Sequence, residues 1–460
     1  MVKTGVRTVG LWLLLALLLS ACQPSQAPAA VQATSIPAPT AAPATPVPVP
    51  TAVPATSVPA RAEAQTAPPG ARPDAPTYAA RGPFAVGYKP LVIGAGTKHP
   101  LEGSLWYPAL NPTGRKEEIT YAIKQKDTTW STDLPKIIYG HALLNAEIDA
   151  AQGAYPLVVW SPGFVASAAW NNNLLEHYAS YGFIILSPEH IEGVYPSDFE
   201  SDPIAISDFW KAVIDRPLDI KQTLDYADQL TAPGGAMAGL IDIAHVAVVG
   251  HSFGGYTALA MAGAQYDLDA FNARCAQLPK DDQNTLYCTS LVQKGAEMAA
   301  RAGLDPMPQG LWPSLGDPRV AAIIPMSSPS SLFDKAGLAK ITIPMMAMEG
   351  NADSVVSPDW GGKPAYENAL SAQKALVTFL GGEHLIFGTP CENEPWIVKH
   401  PAYGFFCFDP VWDKTRVLDL IDHFSTAFLL DTLKGDKAAH AALLPDAINF
   451  PGIEYTTTMK

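Results

Sequence analysis

"VAVVGHSFGGYTALA", residues 246–260, is the stretch that decides the fold class of this chain. Ser252 follows a run of valines, with one glycine two positions before it and another two positions after it, and small residues continue the pattern. A G-x-S-x-G sequence between a strand and a helix is typical of a sharp turn that exposes a nucleophilic serine. Because so short a pattern also arises by chance, the rest of the chain must supply a base, an acid and an oxyanion hole.

Apolar runs of strand length alternate with helical patterns on both sides of this stretch. The predicted strands cover residues 103–107, 156–160, 183–187, 245–250, 320–326, 341–348 and 375–380, and helical patterns cover 218–230, 256–264 and 417–433. This alternation predicts an α/β fold with a mainly parallel central sheet flanked by helices. Residues 265–315 form a long insertion with helical stretches such as 289–303, and we interpret it as a helical lid or cap.

A catalytic serine needs an imidazole to take its proton and a carboxylate to orient the imidazole. Asp353 stands in the loop after the predicted strand that ends at Met348, and His384 stands in a glycine-flanked loop directly after the next strand. Glu349 is closer to the strand, but Asp353 is better placed in the loop. The sequence therefore predicts a triad of Ser252, Asp353 and His384, in the order that α/β-hydrolases use.

Two backbone N–H groups are needed to stabilise the negative oxygen of the intermediate, and losing one such donor costs ~10²–10³ in rate. One donor is expected at Phe253, directly after the serine. The loop "SPGF" after the strand at 156–160 contains Gly163, which permits a tight turn, and we assign the second donor to Phe164.

Two further histidines lie near the predicted site. His251 is interpreted as a packing or hydrogen-bonding residue. His190 follows an earlier strand, and it fits the pocket rim and a structural role equally well.

The N-terminus has the features of a secretory signal. Lys3 and Arg7 precede an apolar run that is too short to span a bilayer comfortably, and the run ends in Leu-Ser-Ala-Cys at 19–22. That quartet resembles a bacterial lipobox, which implies cleavage before Cys22 and lipidation of its sulfur. Residues 1–21 are thus predicted to be a lipoprotein signal peptide, the alternative being an ordinary signal with a chance cysteine.

Residues 22–82 consist mostly of Pro, Ala, Thr, Val and Ser and have no apolar periodicity. Such a composition predicts a disordered linker, which leaves residues 83–460 as the folded domain. The formal net charge of −14 disfavours nucleic acid and an anionic membrane surface as partners. Association with a membrane is therefore expected only through the N-terminal lipid anchor.

Apart from Cys22, the chain contains four cysteines, which is an even number in a chain predicted to be exported: Cys275, Cys288, Cys391 and Cys407. Two disulfides are expected. Sequence order favours Cys275 with Cys288 and Cys391 with Cys407, although four cysteines permit three pairings. Their spacing is not that of a metal site and no histidine cluster accompanies them, so no metal is expected.

An ordered series of stretches carries a family resemblance: "GPFAVGYKPLVIG", "GSLWYPA", "PLVVWSPGF", "YASYGFIILSPEH", "DRPLDIKQTLDY", "VAVVGHSFGGYTALA" and "DPRVAAIIPMSSP". The series resembles the platelet-activating factor acetylhydrolase-like branch of the dienelactone hydrolase-related family, over about residues 82 to 433. The resemblance implies an α/β-hydrolase fold and a carboxylic ester hydrolase with a Ser-His-Asp triad and no metal or organic cofactor. Proper dienelactone hydrolases use a cysteine nucleophile, so Ser252 argues against that activity.

These observations together predict a lipid-anchored, extracytoplasmic serine esterase of the cell envelope that acts on short to medium acyl esters of small molecules or lipids. Bacterial polyester hydrolases and cutinases have a similar "PGF" loop and serine turn, so a polyester hydrolase, a cutinase or a lipase is the alternative. A binding protein without catalytic activity would require a broken triad, and all three candidate residues are present.

Overall fold

The computed structural model of the protein describes residues 75–123, 136–190, 209–400 and 403–460. The predicted signal peptide, Cys22 and nearly all of the predicted linker lie outside these ranges. In the ranges that are described, none of the helices has both the length and the apolar character needed to cross a membrane.

Strands make up the centre of the described structure: β1 (Ala85–Ile93), β2 (Leu101–Ala109), β3 (Ile119–Ala122), β4 (Ile137–Gly140), β5 (Leu143–Leu144), β6 (Tyr155–Ser161), β7 (Ile184–Pro188), β8 (Ile241–His251), β9 (Val320–Met326), β10 (Met345–Gly350), β11 (Lys374–Phe379) and β12 (Ile453–Thr457). Ten of them form one sheet in the order β12-β11-β10-β9-β8-β6-β7-β2-β1-β5, and β3 and β4 form a separate two-stranded sheet.

The middle of the large sheet is parallel. β11, β10, β9, β8, β6 and β7 pair in parallel, whereas β2 and β12 join the two sides of this block in antiparallel register. The carboxyl ends of β6, β8, β10 and β11 consequently meet at one edge of the sheet. In open α/β sheets this edge is where ligands bind and catalytic loops gather.

Helices connect the strands: α1 (Asn172–Ser180), α2 (Phe209–Thr231), α3 (Phe253–Met261), α4 (Leu268–Cys275), α5 (Thr285–Leu291), α6 (Gly295–Arg301), α7 (Asp334–Leu338), α8 (Gly362–Asn368), α9 (Tyr403–Cys407), α10 (Lys414–Lys434) and α11 (Lys437–Ala442). The three helical patterns predicted from the sequence fall within α2, α3 and α10, with a difference of a few residues at the ends.

Helices cover both faces of the sheet. On one face, α1 and α10 bury apolar side chains such as Leu175, Ile421 and Phe424 against the strands. On the other face, α2 and α3 pack through side chains such as Ile220 and Leu259. The strands β6 and β7, and β8 from Val246 onward, are buried on both faces, which explains why these stretches are continuous apolar runs rather than alternating ones.

The insertion at residues 265–315, called the cap segment below, contains α4, α5 and α6. The helical stretch expected at 289–303 is interrupted, because α5 ends at Leu291 and α6 begins at Gly295. A Cβ atom at Gly295 would lie 2.8 Å from Sδ of Met307, so a larger residue there would require the exposed Met307 side chain to shift.

Both expected disulfides are confirmed. Cys275 is bonded to Cys288 inside the cap segment, and Cys391 is bonded to Cys407 in the region between β11 and α10. Each pair has a Cα–Cα distance of 5.5 Å, which is usual for a disulfide.

Candidate active site

Ser252 lies in the tight turn between β8 and α3. Its φ of 55° and ψ of −122° are unusual for a residue with a side chain. A Cβ atom at Gly254 would lie 1.8 Å from the carbonyl oxygen of Ser161, and one at Gly250 would lie 2.4 Å from the backbone of Gly254. The glycines on both sides of the serine are therefore required for the turn to close, and the Ser252 N–H is held by the Met326 carbonyl at 2.7 Å.

The structure brings the three predicted triad residues together. Nε2 of His384 is 2.9 Å from Oγ of Ser252, and Nδ1 of His384 is 2.7 Å from Oδ2 of Asp353. When Nδ1–H donates to the carboxylate, Nε2 is left as the acceptor for the serine proton. His384 and Asp353 are both buried, whereas Ser252 is partly exposed. This is the arrangement that an activated serine nucleophile requires.

Asp353 is held in its ionised form by its surroundings. Burial raises the pKa of its carboxyl group, but the charge and hydrogen bond of His384 lower it, as do the backbone N–H groups of Val356 and Val355, and the net pKa lies below the usual value. Those two N–H groups donate to Oδ1 at 2.7 and 2.8 Å. The carboxylate is thus charged at neutral pH and can orient the imidazole and stabilise its protonated form.

Glu349, the other acid considered from the sequence, has a different role. Its carboxylate accepts the backbone N–H of Lys363 at 3.0 Å, at the start of α8. Burial raises its pKa to about 7, against the effect of the N–H groups of Lys363 and Gly362, and the nearby charge of Asp353 raises it further. It is Asp353, and not Glu349, that meets the imidazole of His384.

The loop assigned to the second oxyanion donor lies beside the serine. A Cβ atom at Gly163 would be 3.6 Å from Cβ of Ser252, and the Gly163 carbonyl accepts the N–H of Ala166 in a turn in which Val165 has a φ of 53°. The ring of Phe164 packs edge-on against that of Phe253, with ring centroids 6.0 Å apart. The two residues predicted to supply the oxyanion N–H groups are therefore neighbours.

The two other histidines are both structural. Nε2–H of His251 donates to the backbone carbonyl of His384 at 2.9 Å, and burial, together with the charge of His384, lowers the pKa of His251 to about 3. His190 is fully buried between Oγ of Ser161 at 2.9 Å and the carboxylate of Asp219 at 2.7 Å. Its complete burial removes the possibility that it lines the pocket rim.

The cap segment contacts the loop after β10, which carries Asp353. The sequence did not predict this contact. Nε2 of Gln283 donates to the backbone carbonyl of Asp353 at 3.2 Å, and Nδ2 of Asn284 donates to Oγ of Ser357 at 3.1 Å. These pairs are separated by about seventy residues in the chain. No local pattern marks such contacts, so only the tertiary structure shows them.

A second contact that the sequence did not predict holds the loop that carries His384. Nζ of the half-buried Lys414, on α10, donates to the backbone carbonyls of Leu385 and Ile386 at 2.7 and 3.1 Å. Burial lowers the pKa of this lysine to about 8, although Glu394 and other carboxylates raise it. The loop that carries His384 is thereby tied to the long helix under the sheet.

Across the described ranges, no group of three or more His, Cys, Asp or Glu side chains is placed to hold a metal ion.

Comparisons with known proteins support the fold. The structure of a ferulic acid esterase from Streptomyces cinnamoneus superposes on 81% of this chain and 96% of its own length, with a TM-score of 0.52 and 19% sequence identity. This chain has an α/β-hydrolase fold. The expected fold class is thus confirmed, with a mostly parallel sheet flanked by helices.

A family model provides a second similarity. The model of the chlorophyllase family matches residues 131–276, which is less than half of the chain and includes Ser252 but neither Asp353 nor His384. Among curated proteins, none matches the sequence. The family match supports a carboxylic ester hydrolase, and the structural neighbour supports the fold.

Proposed function

We propose that the protein is a serine carboxylic ester hydrolase that works through an acyl-enzyme. The observation that carries the proposal is the hydrogen-bonded chain from Ser252 through His384 to Asp353, with distances of 2.9 and 2.7 Å. The partly exposed serine stands at the end of this chain, at the sheet edge where α/β folds bind ligands.

The triad would hydrolyse an ester in two steps, acylation of Ser252 and then hydrolysis of the acyl-enzyme. His384 takes the proton of Ser252 as Oγ forms a bond to the ester carbonyl carbon, and the negative oxygen of the tetrahedral intermediate accepts the N–H groups of Phe253 and Phe164. His384 then gives the proton to the leaving alkoxide as the C–O bond breaks, which releases the alcohol. In the second step, water repeats this sequence on the acyl-enzyme and releases the acid.

We further propose short to medium acyl esters as substrates, in line with the resemblance to platelet-activating factor acetylhydrolase-like enzymes. Bulky aromatic rings surround Phe253, the residue after the serine. The ring centroids of Phe164 and Phe209 lie 6.0 and 4.6 Å from that of Phe253, and Phe209 lies 6.0 Å from Tyr287 of the cap segment. Aromatic rings packed this closely favour an acyl site of limited length. Polyester hydrolase, cutinase and lipase activities remain the alternatives.

The site of action is proposed to be the cell envelope, outside the cytoplasm. Support comes from the basic and apolar N-terminal segment, the lipobox-like quartet that ends at Cys22 and the Pro-rich stretch after it. The two disulfides agree with an oxidising compartment.

The experiment is a substrate series with p-nitrophenyl esters from acetate to palmitate, together with methyl ferulate and a polyester film. We expect the highest kcat/KM between acetyl and hexanoyl esters. We also expect a fluorophosphonate probe to label Ser252 alone. Ser252→Ala should lose about six orders of magnitude in kcat, because the triad acts as one unit.

Ser371→Ala is the matched control. This buried serine lies before β11, at the opposite end of the strand from His384, and its hydroxyl donates to Gln373. Best turnover on palmitate, on methyl ferulate or on the film would favour another ester class. Full activity in Ser252→Ala would overturn the mechanism.

A further inference from the structure

The loop at residues 161–164, which carries the proposed donor Phe164 and is called the oxyanion loop below, is held by one buried arginine. Arg216 lies on α2 and is completely buried. Its Nη1 donates to the carbonyl oxygen of Pro162 at 2.5 Å, and its Nη2 donates to that of Gly163 at 2.8 Å. The same guanidinium lies over the ring of Phe253, 5.1 Å from the ring centroid. One side chain thus contacts both parts of the chain that carry the predicted oxyanion donors.

The hydrogen bond to Gly163 determines where the N–H of Phe164 points. The carbonyl of Gly163 and the N–H of Phe164 belong to one peptide unit, which is planar and trans, so the two groups point in opposite directions. When Arg216 holds the carbonyl on its own side, the N–H must face away from Arg216. Rotation of this peptide would turn the carbonyl toward the opposite side, where a negative oxygen would be repelled rather than stabilised.

The loop needs such support because its turn is strained. Val165 has a φ of 53°, a conformation that is costly for a β-branched residue and persists only where surrounding contacts impose it. Besides Arg216, the loop is held at its first residue by the buried chain in which Ser161 contacts His190 and His190 contacts Asp219. Asp219 lies on α2, three residues after Arg216, so one turn of this helix supports the loop at both points.

The position of α2 itself is supported by an unusual feature. Pro217 lies inside the helix, where it has no N–H to donate to the carbonyl of Val213. The Val213 carbonyl instead accepts the hydroxyl of Tyr256 at 2.8 Å and that of Tyr266 at 3.2 Å. Tyr256 is on α3, the helix that begins directly after Ser252. Because Pro217 leaves the Val213 carbonyl free to accept the Tyr256 hydroxyl, the helical turn that carries Arg216 is bonded directly to α3.

We propose that Arg216 is the positioning residue of the oxyanion hole: through the carbonyls of Pro162 and Gly163 it sets the peptide whose N–H, at Phe164, receives the negative oxygen. This inference rests on the proposed ester hydrolysis. Arg216 does not touch the substrate, and its effect passes through the backbone of the loop.

The test measures the rate at which a fluorophosphonate labels Ser252, because that reagent forms a tetrahedral adduct whose oxygen enters the oxyanion hole. Arg216→Met removes both donors, and Arg216→Lys keeps the charge but loses the planar fork. We expect labelling to slow by about 10²-fold in Arg216→Met, the lower range for losing one oxyanion donor, and by less in Arg216→Lys. On p-nitrophenyl acetate, kcat should fall by the same factor while KM changes little, since the lost interaction belongs to the transition state.

Ile220→Ala is the matched control. Ile220 is fully buried on the same helix, so its truncation destabilises the fold without removing a donor to the loop. We expect this variant to label at nearly the wild-type rate wherever circular dichroism shows it to be folded. Equal losses in Ile220→Ala and Arg216→Met would overturn the inference, as would an unchanged labelling rate in folded Arg216→Met or a rise in KM alone.

The failure of the proposed function gives a different result. A wild-type protein that labels rapidly but hydrolyses no ester would overturn the ester hydrolase while the labelling rates still measure the role of Arg216. A wild-type protein that neither labels nor hydrolyses esters would overturn both.

Discussion

Glu349 is expected to make the stability of the protein depend on pH near neutrality. The side chain is buried, and its pKa is raised from the ordinary value of 4.5 to about 7. Between these two values the native state holds a proton that the unfolded state has released. The free energy of unfolding must therefore fall as pH rises through this window.

The size of the effect follows from the shift. One pKa unit corresponds to 1.36 kcal/mol, so a shift of this size predicts a loss of about 3 kcal/mol between pH 4 and pH 8. Glu349→Gln removes the charge, and its amide oxygen can still accept the N–H of Lys363. The free energy of unfolding of the variant minus that of the wild type should therefore increase by about 3 kcal/mol from pH 4 to pH 8.

Urea unfolding at pH 4, 6 and 8 measures this difference. Glu367→Gln is the control, because Glu367 is exposed on α8, the helix whose first turn donates to Glu349. Glu349→Gln should also keep most of the ester hydrolysis, whereas Asp353→Asn should lose it, because Asp353 is the acid that contacts His384. Parallel stability curves for wild type and Glu349→Gln would refute the reasoning, and loss of activity in Glu349→Gln would show that Glu349 serves the reaction.

Three further outcomes are expected. Replacing Cys275 and Cys288 by serine should lower the free energy of unfolding by ~3 kcal/mol from loop entropy, and urea unfolding that matches the wild type would contradict this. Lys414→Met should cost ~3 kcal/mol, because two partly buried carbonyls beside His384 lose their charged donor; a change smaller than ~1 kcal/mol in urea unfolding would show that the lysine is dispensable. Cys22→Ala should release the protein from membranes, and a variant that still sediments with them would count against a lipid anchor.

The position of the three triad candidates in the fold could be read from the sequence. Each follows an apolar run that becomes a strand, and the parallel pairing of β8, β10 and β11 brings the ends of those runs to one edge. The strand predicted at 341–348 begins four residues later in the structure, because β10 begins at Met345. The error is small because the loop after the strand, not its beginning, carries Asp353.

Other elements escaped the sequence patterns. β1 contains Pro90, a residue that argues against a strand. Because β5 pairs with β1 only at Gly87 and Tyr88, Pro90 lies where one edge of β1 is not paired with a described strand, and its missing N–H is tolerated there. β12 is short and only partly buried, so its alternation is too weak to stand out from a loop. It forms because β11 has a free edge for it to pair with.

The sequence by itself determined the α/β class, the serine turn, the order of the acid and base loops and the even number of cysteines. These features depend on residues that are neighbours in the chain, where hydrophobic period and glycine spacing act directly. Only the tertiary structure decided that Asp353 rather than Glu349 meets His384, that His190 is buried behind the oxyanion loop, and that Arg216 donates to two carbonyls of that loop. Each of these contacts joins groups that are far apart in the sequence. Local sequence patterns do not specify which distant groups come together when the sheet forms.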